Sequence, residues 1–96
     1  MKIMQELENK NKKLLYKTLG MIIKKYRKEQ QKSVYELAAV SSMSTNSWNR
    51  VEKYTSLDPS FTTIWKIAEA LDIQPHELIK EVYDKLGDDF SLSGII

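Results

Sequence analysis

The chain has no cysteine, one histidine, two prolines and three glycines in 96 residues. Without cysteine there are no disulfides, thiolate metal sites or cysteine nucleophiles. The lone histidine, His76, leaves too few ligands for a metal cluster and no partner for a serine–histidine triad. So little glycine and proline excludes linker and collagen-like chains. No apolar run approaches the ~18 residues of a membrane span. The start is unlike a secretory signal, because Lys2 is followed by Gln5, Glu6 and Glu8 and no apolar core. There is no carboxylate pair suited to acid–base work and no glycine loop to cradle a phosphate. With 42% hydrophobic and 29% charged residues, the expectation is one soluble, cytoplasmic, non-enzymatic domain with no cofactor and no metal.

Charge is distributed unevenly. Residues 1–32 carry ten Lys/Arg against three Asp/Glu, whereas residues 61–96 carry three against seven. A basic front and an acidic back predict a polyanionic partner on one face. A solvated amphipathic helix with its ordinary lysines is the plainer alternative.

The apolar spacing is helical from end to end, and no segment alternates with period two. Leu15, Leu19, Ile22, Ile23 and Tyr26 form one stripe, predicting a helix over about 14–30 that extends back through Leu14, Leu7 and Met4. Ser33 with Glu36 three residues later reads as a capping box for a short second helix holding Leu37, Ala38 and Val40. Ser41-Ser42-Met43 is a tight turn, and Ser44 caps a third helix with Trp48 and Val51 facing inward. After a loop over 53–58 closed by Asp58-Pro59-Ser60, a fourth helix spans about 61–71, with Ile64, Ile67, Ala68 and Leu71 as its apolar face. Pro75 opens a fifth, which holds Leu78, Ile79, Val82 and Leu86 and stops at Gly87. The fold class predicted is all-α, five helices around one core. Residues 1–13 are an N-terminal helical extension, 14–86 the domain, and 87–96 a short C-terminal tail.

The pair of short helices between 34 and 52 is the sharpest feature. A small residue at the crossing (Ala38), a compact turn and apolar anchors on both sides (Leu37, Met43, Trp48, Val51) give the spacing of a helix-turn-helix. Here the chain resembles the Cro and lambda-repressor type of helix-turn-helix regulators, often called XRE-type. Residues that meet the family pattern are Ser33, Glu36-Leu37-Ala38, Ser44, Trp48, Arg50-Val51-Glu52, Pro59-Ser60, Thr63-Ile64, Ile67-Ala68, Ala70-Leu71 and Ile73, within roughly residues 17–80. Three positions depart from it. Val34 stands where a glutamine is usual, Ser42 where a glycine serves a positive φ, and Trp48 where the side chain is usually smaller.

The resemblance implies a five-helix, lambda-repressor-like DNA-binding domain whose third helix, about 44–54, enters the major groove. The major groove admits one α-helix, whose exposed face meets base edges. Thr45, Asn46, Asn49 and Arg50 point away from Trp48 and Val51, and no charged residue occurs between Leu37 and Asn49. A surface of amides and hydroxyls suits base discrimination better than bulk attraction. Asn46 fits adenine, Arg50 guanine and the Thr45 methyl thymine. First-turn capping for Asn46 and Ser47, and an ion pair for Arg50, are the structural alternatives. Phosphate contacts are expected from Ser33 and Tyr35, from Ser44 and Ser47, and from Lys53, Tyr54 and Thr55. Tyr35 and Tyr54 read equally well as half-buried aromatics. Lys24, Lys25, Arg27, Lys28 and Lys32 are candidates for longer-range attraction.

The partners implied are double-stranded DNA and a second copy of the chain on a palindromic site, in a cytoplasmic regulator of bacterial, phage or mobile-element origin, more often a repressor. The tail (Phe90, Leu92, Ile95, Ile96) or the N-terminus (Ile3, Met4, Leu7) is the expected dimer contact. The chief rival is an antitoxin or adaptor that uses the same fold to hold another protein. A basic amphipathic helix lying on a membrane is weaker, because Leu15, Leu19 and Ile22 are needed to close the core.

Overall fold

The computed structural model describes residues 2–55 and 58–94. Five helices follow in order: α1 Lys2–Glu29, α2 Val34–Val40, α3 Thr45–Glu52, α4 Phe61–Ala70 and α5 Pro75–Leu86. Among the described residues there is no strand. The expected helix over 14–30 is a 28-residue helix that begins at Lys2. Asn9 and Asn11 do not interrupt it, since one asparagine in a helix weakens it by well under 1 kcal/mol. At 1.5 Å per residue α1 is about 42 Å long, and it sets the molecule's 43 Å long axis.

The core is built from the inward faces of all five helices. Leu19, Ile22 and Ile23 of α1 meet Leu37 and Ala38, Trp48 and Val51, Ile67 and Ala68, and Leu78 and Val82, with Leu71 from the end of α4. Trp48 is fully buried, so the large side chain at this position fills the centre of the domain. Ile79 departs from expectation and lies half exposed beside Phe61 and Trp65. The side-chain amide of Gln30 donates to the carbonyl of Leu71 at 2.7 Å, tying the end of α1 to the end of α4. The Tyr26 hydroxyl donates to the Glu81 carboxylate on α5, and that bond pushes the phenol pKa up to about 12.

Each of the first four helices ends in the same way. The residue after the cap takes a left-handed conformation: Gln31 (φ 55), Ser42 (φ 58), Tyr54 (φ 48) and Asp72 (φ 56). Its N–H, and the next one, return to carbonyls of the last helical turn, as Ser42 N to Ala39 O and Met43 N to Ala38 O do. This is the Schellman closure, which usually employs glycine. Here non-glycine residues fill all four positions. After Gly87 the chain turns back along α1, where the Asn11 amide donates to the carbonyls of Ser91 (2.9 Å) and Leu92 (3.2 Å). Phe90 is half buried and Leu92 exposed, while Ile95 and Ile96 lie outside the described residues.

Candidate nucleic-acid interface

Local hydrogen bonding fixes where α2 and α3 start. The Ser33 hydroxyl accepts from the backbone N–H of Glu36 (3.1 Å), and the Ser33 N–H donates to the Glu36 carboxylate (3.0 Å). The Ser33 backbone N–H on the carboxylate, aided by the Ser33 hydroxyl, holds Glu36 below the usual carboxylate range. Tyr35 stands 75% exposed beside this helix start. Val34 packs half buried against the core, so its place at the helix start is apolar. The Ser41 hydroxyl donates back to the Leu37 and Ala38 carbonyls, and the positive φ expected at Ser42 is present.

Ser44 then caps α3. Its hydroxyl accepts from the Ser47 N–H at 3.0 Å and donates to the Ser47 hydroxyl at 2.9 Å. Both serines remain exposed. The capping role weighed for Ser47 is thus real, whereas Asn46 takes no part in it. Thr45, Asn46 and Arg50 are exposed and Asn49 is half buried. Arg50 forms no ion pair among the described residues, and with Ser47 it borders a shallow cleft toward Ser60 and Thr63 of the next helix start. The helix spans Thr45–Glu52, shorter than expected. Ser44 stands outside it as the cap, and Lys53 and Tyr54 form its exit turn, where the Thr55 N–H returns to the Arg50 carbonyl at 2.9 Å. Lys53, Tyr54 and Thr55 are exposed on that flank. The Tyr54 ring sits under the Lys17 ammonium at 5.9 Å.

The inward side of α3 is held by a polar node. The Glu52 carboxylate receives two bonds from Arg27 of α1, from Nε at 2.6 Å and from Nη2 at 3.0 Å. It also receives the indole N–H of Trp48 at 2.6 Å. Arg27 donates further to the Lys32 carbonyl at 3.2 Å. Arg27 is therefore a fastening for α3 and not the free cation its sequence position suggested, and its hydrogen bond to Glu52 raises the guanidinium pKa above its ordinary value. Gly20 completes the seat. A Cβ at this position would lie 2.6 Å from the Val51 carbonyl oxygen and 2.7 Å from that of Glu52, so only glycine lets α1 approach so closely. Sequence reading passed over both. A glycine within an apolar-periodic helix sacrifices about 1 kcal/mol relative to alanine, which is the signal that could have marked Gly20.

The result is a short helix clamped along one side and open along the other. Its open side carries amides, hydroxyls and one guanidinium, flanked by the exposed starts and exits where Ser33, Tyr35, Lys53 and Thr55 lie. Among the described residues no group of three or more His, Asp or Glu could hold a metal ion, and no helix is long and apolar enough to cross a membrane.

Comparison with known proteins places this arrangement. Residues 23–84 match the family model for the Cro/C1-type HTH DNA-binding domain. The HTH-type transcriptional regulator SinR of Bacillus subtilis (strain 168) is 30% identical over 66 residues, covering 69% of this chain and 60% of that protein. The protein of the same name from Bacillus licheniformis is 32% identical over 63 residues, covering 66% of this chain and 57% of its own. The chain thus spans less than two thirds of the length of these curated relatives. No solved structure matches it. Matched over well more than half of its residues, the chain belongs to the Cro/C1-type helix-turn-helix DNA-binding domain family.

Proposed function

We propose that the chain is a sequence-specific, double-stranded-DNA-binding transcriptional regulator, a repressor that acts as a homodimer on a palindromic operator. The observation that carries this reading is the division of α3, with Trp48, Val51 and Glu52 buried while Thr45, Asn46 and Arg50 stand exposed. In the major groove Asn46 would pair with adenine N6 and N7, Arg50 with guanine O6 and N7, and the Thr45 methyl with that of thymine. Asn49, half buried, would add a fourth base-reading group. Ser33 and Tyr35 at the start of α2, Ser44 and Ser47 at the start of α3, and Lys53, Tyr54 and Thr55 beyond its end would set the register on phosphates.

A single recognition helix reads only a few base pairs, which favours two copies with half-sites about one helical turn, ~34 Å, apart. Leu92 of the tail and the exposed Phe61, Trp65 and Ile79 of the α4–α5 face offer apolar surface for the contact between copies. The two Bacillus relatives carry the name of transcriptional regulators, which supports the regulatory role.

Selection of bound fragments from a random duplex library tests the proposal. The expected winner is a palindrome bound ~10³-fold or more above random duplex, with Asn46→Ala and Arg50→Ala each weakening that preference. Salt-sensitive binding without any sequence preference would overturn it and turn the search toward a protein partner.

A further inference from the structure

Residues 9–28 of α1 carry eight Lys/Arg and no Asp/Glu. Two of these cations are ion-paired, Lys12 with Asp58 at 3.5 Å and Arg27 with Glu52. Lys10, Lys13, Lys17, Lys24, Lys25 and Lys28 are exposed and form no ion pair among the described residues. Six unneutralised like charges on one helix repel one another, so they are a feature that stability alone does not explain.

Their placement follows from contacts already described. Lys13, Gly20 and Arg27 are seven residues apart and so share one edge of the helix. Gly20 and Arg27 meet the end of α3 there, and Lys13 with Lys17 lines a groove against Lys53, Tyr54 and Thr55. Lys10, Lys17 and Lys24 each stand three residues before a member of that edge, which puts them on its outer shoulder. From Lys10 to Lys24 the row is about 21 Å long, comparable with six nucleotide steps of a strand at 3.4 Å each. The α3 exit meets the middle of this row at Lys13 and Lys17, with Lys10 about one helical turn to one side and Lys24 about two to the other. Leu14 and Tyr54 line the groove beside the lysines, a patch too small for the buried anchors that a protein partner needs. Mobile, strongly hydrated ammonium groups suit spaced phosphates instead.

We propose that Lys10, Lys13, Lys17 and Lys24, continued by Lys53, form a second phosphate-binding surface that follows the DNA backbone beyond the bases read by α3. The inference rests on the DNA-binding reading above and adds that the footprint extends past each half-site on the side of the α3 exit. It is sequence-independent, so it lengthens the protected DNA without changing the operator.

The test compares the wild-type protein with the Lys10→Ala/Lys13→Ala/Lys17→Ala variant on the selected operator, in duplexes with long and with trimmed flanks. Each lost phosphate contact lowers the magnitude of the slope of log K against log[salt] by about 0.9. The triple variant is expected to lose two to three units of slope and about tenfold or more in affinity on long flanks, and to equal wild type on the trimmed duplex. A Lys66→Ala/Lys80→Ala/Lys85→Ala variant removes the same charge from α4 and α5, away from the row, and should keep the flank dependence. An unchanged slope in the first variant, or the same loss in the second, overturns the proposal. If the wild type shows no sequence preference, the regulatory reading fails instead. The slope comparison on random duplex still decides whether the row binds phosphates.

Discussion

The two sides of α3 differ in a way that separates stability from function. On the inner side Trp48 and Val51 are buried, and Glu52 takes three hydrogen bonds from two helices. On the outer side Asn46 and Arg50 are exposed, without an ion pair among the described residues. The first set spends its polar groups internally and leaves no freedom to bind. The second keeps its donors and acceptors unmade in the free protein, which a ligand can satisfy. An eight-residue helix is too short to persist in water by itself, so the outer face is presented only because the inner face is fastened.

Breaking the fastening should therefore destroy both properties together. Glu52→Ala leaves Arg27 largely buried without its counter-charge and the Trp48 indole N–H without an acceptor. The expected loss is about 3–5 kcal/mol, read as a fall in Tm of more than ~12 °C with loss of DNA binding. Arg27→Met combined with Glu52→Leu should recover part of that stability, because no buried charge is then left alone. Gly20→Ala is the sharper probe, since helix propensity alone predicts a gain of about 1 kcal/mol. The approach of the Val51 and Glu52 carbonyls predicts a net loss of about 1–3 kcal/mol instead. A Tm above wild type would show that α1 and α3 are not held as closely as described.

Much of this architecture was legible in the sequence. Apolar periodicity placed Leu19, Ile22, Ile23, Trp48 and Val51 in the core, and Ser33, Ser44 and Pro75 marked helix starts, because caps and heptad-like stripes are local signals. The partnership of Arg27 with Glu52 was not legible, since it joins positions 25 residues apart and its residues look like ordinary helical charges. Ile79 was misplaced because α5 carries more apolar residues than the core can bury. Asn46 and Arg50 became candidates through the family resemblance, and their exposure follows from the local pattern that turns Trp48 and Val51 inward.

Substitutions on the outer side should separate what the inner side couples. Asn46→Ala and Arg50→Ala are each expected to lower specific affinity by about 1–3 kcal/mol at fixed salt. Unfolding stability should stay within about 0.5 kcal/mol of wild type, checked by titration and thermal melts on the same samples. A large drop in stability for Arg50→Ala would move it to the fastened side. Away from α3, Tyr26→Phe removes the bond to Glu81 at a loss of about 1 kcal/mol. Because the folded-state pKa of Tyr26 is raised to about 12, that contribution is complete below the ordinary phenol value. It fades as pH rises toward about 12, so the two proteins' melting curves should converge there.

The smallest effect expected lies at the two ends of α3. Ser42 just before it and Tyr54 just after it both occupy left-handed backbone, with φ of 58° and 48°, a conformation unfavourable for a side chain by about 1–2 kcal/mol. Glycine removes that strain but gains freedom in the unfolded chain, an opposing term of about 0.5–1 kcal/mol. Ser42→Gly should therefore stabilise by roughly 0.5 kcal/mol and leave DNA affinity unchanged, because the exposed Ser42 side chain only fills a turn. Tyr54→Gly makes the same backbone change but removes the ring beneath Lys17 and one wall of the lysine-lined groove. It should gain less stability and weaken binding. Equal behaviour of the two variants in binding would mean that the exit of α3, like its entry, is only a turn.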